Sequence, residues 1–263
     1  MALIRVDTID LFPEVRGALR SLLLGLDDRG WVQPTSCGDW TVRDVAAHLV
    51  GVDLGNVARR RDGHRFPLPP GGLEEFNEQW VIASRRLSTQ VLLELGDLAG
   101  HGFEGWLATV DLDEVGEAPS WAGGGPAPRW LDVAREYTER WVHQQQIRAA
   151  VGEPGLDNDR YVTPVIATFA HALPVALRGV EAPPGSIAVF RVTGVGGGKW
   201  HLVRSESGWD LREGDRDGAL AILTTDAGDS WRRMTNQAAI PAPALEGDPL
   251  VGAALAGAVA IMV

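Results

Sequence analysis

Between about residues 8 and 150 apolar side chains recur every three to four positions, and after Glu181-Ala182-Pro183-Pro184-Gly185 they recur every second position. A helix repeats its face at i, i+3, i+4 and i+7 and a strand at i and i+2, so this chain must build helices first and a sheet afterwards. Breaks rich in Gly, Pro and Asp cut the first part into four segments. The first spans residues 9–26, with Leu11, Val15, Leu19, Leu22, Leu23 and Leu26 on one stripe. The second follows Thr41-Val42-Arg43-Asp44, a capping box with Asp in place of the usual Glu, and runs to about residue 61. The third covers residues 73–98 with a break near Ser88, and the fourth covers 128–151, stopping before Gly152-Glu153-Pro154-Gly155. Four helices of this length bury their stripes against one another in a bundle.

The remainder opens with a Pro-containing helical stretch at 159–177 and the linker at 181–185. Strands are predicted at 186–193, 199–205, 209–212 and 219–224, with Gly194-Val195-Gly196-Gly197-Gly198 as a hairpin turn rather than a phosphate loop, since no Lys-Ser/Thr pair follows it. Helices at 226–236 and 249–256 and a last strand at 258–263 complete a small α+β domain. The fold class is therefore α+β: a helical bundle over 1–155, a helical connection over 156–185 and a C-terminal α+β domain over 186–263.

Charge and composition narrow the function. With 24 basic against 35 acidic residues the net charge is -11, which repels nucleic acid and anionic membranes. Hydrophobic residues make up 45% of the chain, enough for a substantial core. The acidic N-terminus lacks the pattern of a signal peptide, and the apolar stretch at 250–263 is too short to span a bilayer. One cysteine, Cys37, makes no intrachain disulfide and fits a reducing cytoplasm. The oligomeric state is not determined by any of these features.

Glu139-Arg140-Trp141-Val142-His143 is the strongest local chemical feature. Helical residues four apart differ by about 40° in rotation and about 6 Å in rise, so the carboxylate and the imidazole face the same way. Val142, Gln146, Ile147 and Ala150 lie on that stripe and turn it inward. His48 shares an apolar face with Val45, Leu49 and Val52 and supplies a third ligand. Two His and one Glu form the donor set of many catalytic zinc sites, which keep a fourth position open. Nickel, iron and manganese suit the same donors. The competing account is a core histidine and an ordinary i,i+4 pair.

The run from Trp31 to Leu49, with Cys37-Gly38-Asp39-Trp40-Thr41 at its centre, followed by Glu139-x-x-x-His143, resembles the mycothiol-dependent maleylpyruvate isomerase family of actinobacteria. The resemblance implies a DinB-like metal-binding four-helix bundle with a C-terminal sterol-carrier-like domain, and a metal triad of His48, Glu139 and His143 without substitution. It also implies an arginine of the C-terminal domain that binds a substrate carboxylate, for which Arg232 is the candidate and Arg233 its neighbour. Asp53, Asn77 and Trp80 are candidate pocket residues, each also explained by packing or exposure. Cys37 is a candidate nucleophile or a small packing residue, and His64, His101, His171 and His201 lack partners at chelating spacing.

The expected activity is that of a metal-dependent enzyme, zinc being the first choice of ion, with mycothiol as thiol cosubstrate. An ordinary thiol with pKa near 8.5 is only slightly ionised at neutral pH, and a cationic centre favours its thiolate. The thiol would add to a small electrophile, either isomerising it or remaining attached, as an isomerase or a thiol S-transferase does. The alternatives are a metal hydrolase with a metal-bound water, for which Asp53 is the nearby acid, and a non-enzymatic small-molecule-binding protein.

Overall fold

A computed structural model describes residues 3–237 and 239–260. They form two compact units: a helical one of Ile9–Asp111 with Arg140–Gly155, and a mixed one that holds the stretch up to Thr8, Leu112–Glu139 and Leu156 onward. Among the described residues no helix is long and apolar enough to cross a membrane.

In the helical unit a 3₁₀ turn, Ile9–Leu11, leads into α1 (Phe12–Leu24). The short α2 (Asp28–Trp31) is capped by Asp27, whose carboxylate accepts from Gly30 N at 2.8 Å. Next come α3 (Val42–Asn56), which continues as a π turn (Val57–Arg61), then α4 (Gly72–Ser84) and α5 (Thr89–Leu107). The capping box at the start of α3 is formed as its sequence predicts, with Thr41 N donating to Asp44 Oδ2 at 3.2 Å. Burial works against the Asp44 carboxylate, but bonds from Arg85 and Thr41 outweigh it and hold its pKa below the usual carboxylate range.

Helix α3 is the core of this unit. Val42, Val45, Ala46, Ala47 and Val50 pack with Leu23, Trp31, Leu92 and Ile147, and α4 and α5 both lie against it. Gly51 permits the contact with α4, because a Cβ there would collide with the Trp80 indole, whose Nε1 donates to Ala47 O at 2.6 Å. The predicted third helix is two helices, α4 and α5, parted at Ser88, whose Oγ accepts from Val91 N at 3.2 Å. Helix α5 runs nine residues past the expected end at Leu98, to Leu107. Gly100 and Gly102 weaken helix propensity, yet Gly100 sits where the Arg16 side chain crosses to Glu104, and a Cβ would strike it. Burial of Phe103 and Leu107 outweighs the propensity cost.

The mixed unit begins with a hairpin that sequence periodicity does not reveal, β1 (Val115–Glu117) antiparallel to β2 (Pro126–Pro128). It delivers the chain to α6 (Arg129–Val151), a helix that both units share. After α7 (Asp159–Ala170) and α8 (Leu173–Ala176) come β3 (Ile187–Thr193), β4 (Gly198–Arg204), β5 (Trp209–Glu213) and β6 (Ala221–Asp226). The chain then forms α9 (Ala227–Met234), β7 (Ala244–Gly247) and α10 (Pro249–Ala256). The sheet order is β5-β4-β3-β6-β7, with only β3 and β6 parallel. Ala188, Phe190, Val192, Trp200, Leu202, Leu211 and Leu223 form its buried face, against which the helices of this unit pack.

The fold is α+β, helical first and sheet-bearing second, as the switch in periodicity requires. Towards the C-terminal end two further elements differ from expectation. The last sheet strand is β7, whose Ala-Leu-Glu-Gly sequence carries no strand signal. The predicted strand at 258–263 is absent over Ala258–Ala260, where Ala260 N donates to Met234 O at 2.7 Å rather than to a strand; residues 261–263 lie outside the described residues.

Candidate metal centre

His48, Glu139 and His143 converge: one ligand atom from each lies within 4.8 Å of the others. Helix α6 supplies two of them one turn apart, and α3 supplies the third from the turn after its buried Val45-Ala46-Ala47 segment. Both histidines are buried and Glu139 is half-buried. The imidazoles meet edge to face, with centroids 4.9 Å apart and planes at 73°.

The donor set fits a divalent ion of zinc type. On His143 the Nδ1 lies 2.8 Å from Gln146 Oε1, and a proton on Nδ1 would leave Nε2 as the lone-pair nitrogen. A ligating imidazole is commonly oriented in this way by a bond at its other nitrogen. His48 is covered by the Trp40 ring at 5.0 Å, and Trp40 is itself anchored through Nε1 to Glu78 Oε2 at 2.8 Å. Two neutral imidazoles and one carboxylate leave a bound divalent cation with one net positive charge, a centre suited to an anionic fourth ligand.

The other sequence candidates occupy varied settings. Asp53 accepts from Arg140 Nε at 3.1 Å and from its terminal nitrogen, and the guanidinium of Arg140 lies 4.5 Å from the Phe103 centroid. Trp80 packs on α3 one turn beyond His48, and Asn77 is half-buried on α4. Arg232 is exposed on α9 with its guanidinium 4.7 Å from the Trp231 ring centroid, whereas Arg233 donates to Pro241 O. Cys37 is buried, donating from Sγ to Gln146 Oε1 at 2.7 Å, and its sulfur lies 3.5 Å from His143 Nδ1. His64 and His101 are exposed, and His171 and His201 bond the carbonyls of Ile4 and Gly214. Sequence periodicity places Gln146 on the inward stripe but does not disclose its bond to His143. The signal present is Gln144-Gln145-Gln146 itself, three buried amides in succession directly after His143.

Comparison with curated proteins gives no match. Among solved structures, the chain is similar to a crystal structure of a histidine-to-alanine mutant of the mycothiol-dependent maleylpyruvate isomerase, with a TM-score of 0.56 at 10% identity, over 90% of this chain and 91% of that one. It is also similar to a crystal structure of the mycothiol-dependent maleylpyruvate isomerase, with a TM-score of 0.52 at the same identity and coverage. At that identity the likeness concerns the fold. The family model described as the mycothiol maleylpyruvate isomerase N-terminal domain matches residues 12–148, more than half of the chain and the whole span that carries the triad. The chain therefore belongs to the mycothiol maleylpyruvate isomerase N-terminal domain family.

Proposed function

We propose that the protein is a metal-dependent enzyme that uses a low-molecular-weight thiol, mycothiol, to isomerise or thiolate a small electrophilic substrate in the manner of maleylpyruvate isomerase. The observation that carries this reading is the convergence of His48, Glu139 and His143 within the span matched by the family model. The ion we assign to it is zinc, and the chemistry it supplies is activation of a thiol, by favouring the ionised sulfur near a net positive centre. His48 and His143 serve as neutral donors and Glu139 as the single anionic one. Trp40 shields the outer face of His48 and keeps water from that side of the ring.

Addition of the thiol to a conjugated double bond converts it to a single bond, rotation follows, and elimination restores the alkene in the other geometry with the thiol regenerated. Arg232 is our candidate for the substrate carboxylate, since its exposed guanidinium is open to bidentate pairing. Arg233 is less suited, with its guanidinium committed to Pro241 O. Trp80 and Asn77 are proposed to line the pocket. The hydrolytic alternative would need Asp53 as base, and its ion pair with Arg140 opposes that role. Use of a reduced thiol fits a cytoplasmic setting.

Metal analysis of the purified protein, with turnover of maleylpyruvate and model electrophiles measured with and without mycothiol, tests the proposal. Thiol-dependent turnover that is lost in His48→Ala is expected, and in Arg232→Ala a raised KM for carboxylate substrates. Activity independent of thiol, or none across a broad electrophile panel, would overturn it.

A further inference from the structure

Gln144, Gln145 and Gln146 are all buried on α6. An amide left unbonded in an apolar interior costs about 1–3 kcal/mol, so three in succession are expected to hold specific bonds. Gln144 bonds the backbone of α1, donating from Nε2 to Val15 O at 2.9 Å. Gln146 faces the triad instead. Its Oε1 lies 2.8 Å from His143 Nδ1 and 2.7 Å from Cys37 Sγ, and those two atoms are themselves at a hydrogen-bonding distance of 3.5 Å. One carbonyl oxygen has two lone pairs, enough to accept from both the thiol and the ring nitrogen.

We propose that Gln146, braced by the Cys37 thiol, is a positioning residue that fixes His143 as the Nδ1–H tautomer and so presents its Nε2 lone pair to Glu139 and His48. Its bearing on metal affinity rests on the reading of the triad as a metal site; the tautomer does not. A neutral imidazole carries its proton on one nitrogen only, and the acceptor at Nδ1 draws it there. The amide in the opposite sense would offer N–H to Nδ1 and drive the proton to Nε2, the arrangement in which Nε2 cannot coordinate. That sense would also take from Cys37 the acceptor of its S–H. Cys37 also lies just before α3, so the same oxygen couples the approach to the His48 helix with the helix of Glu139 and His143. This gives the lone cysteine a role that needs no reactivity.

Two measurements on the full-length protein test the proposal. The first is two-dimensional ¹H–¹⁵N spectroscopy of the histidine rings in metal-free protein at about pH 8, above the ordinary imidazole pKa. The second is zinc affinity by competition with a chromophoric chelator. The Nδ1–H pattern is expected for His143 in the wild type, and a mixed pattern in Gln146→Met with zinc affinity weakened about 10–100-fold. Gln146→Glu, which keeps an acceptor in place, restores both readouts, as Gln146→Met cannot. Should Gln146→Met fail to fold, Cys37→Ala withdraws only the second donor and is expected to shift both readouts in the same direction, while Cys37→Ser retains them. An Nε2–H pattern in the wild type, or a folded Gln146→Met with unchanged tautomer and affinity, overturns the proposal. A wild type that takes up no zinc overturns the metal reading alone, and the tautomer pattern then still decides for or against Gln146.

Discussion

Asp53 and Arg140 are separated by 87 positions and meet as a largely buried ion pair, their side chains 14% and 10% exposed. The guanidinium carbon also lies 5.4 Å from the Phe12 centroid and 4.5 Å from that of Phe103, so the charge is held among aromatic faces as well as by the carboxylate. Removing one member of such a pair leaves the other charge stranded, at a cost of about 3–5 kcal/mol. Asp53→Ala is therefore expected to lower unfolding free energy by that order in urea titrations, and Asp53→Ala/Arg140→Leu by clearly less. A loss below about 1 kcal/mol in the single variant would place the pair with ordinary surface ion pairs. Sequence position marks Asp53 as an acid one turn from His48 but is silent about Arg140, because helical spacing relates residues within one helix and not across two. The Glu139 and His143 pair is legible for the same reason, since one helix sets its geometry. The bonds made by Gln146 and Cys37 depend on rotamers and on the bend before α3, which no periodicity encodes.

At the level of elements, the long helices were recognisable because their apolar stripes are many residues deep, while β1, β2 and β7 have three or four residues and no alternation to detect. Helix α5 overruns its expected end because glycines chosen for close packing look like stop signals. Helix α7 ends at His171, which terminates the helix and also ties down the N-terminal segment: its Nε2 donates to Ile4 O at 2.9 Å, and its ring lies 5.6 Å from that of Trp130. Burial lowers the pKa of this imidazole, against a smaller opposing effect of the bond to Ile4. The unfolded chain then takes up the proton first as pH falls, so this contribution to stability is complete above about pH 6.5 and is lost progressively below it. One proton contributes a slope of at most about 1.4 kcal/mol per pH unit in that window. His171→Gln, which keeps an N–H donor for Ile4 and does not titrate, is expected to flatten the dependence of unfolding midpoint on pH between about 7.5 and 5.5 relative to wild type. Equal slopes in the two proteins would remove His171 from the account.

Across the whole molecule, α6 has a special place, because the division between the two compact units falls within it, between Glu139 and Arg140. Its Glu139 and His143 meet His48, more than 90 positions earlier in the chain, so unfolding takes the triad apart. An ion bound only by the complete triad must therefore stabilise the folded chain by mass action, by about 2.7 kcal/mol at a free concentration 100 times its Kd. For a chain of this size that corresponds to a rise in Tm of roughly 5–10 °C. Calorimetry in zinc and in chelator is expected to show that rise in the wild type and to lose it in His48→Ala. A Tm indifferent to zinc, or an equal rise in His48→Ala, would separate the triad from any ion and leave the buried histidines as packing.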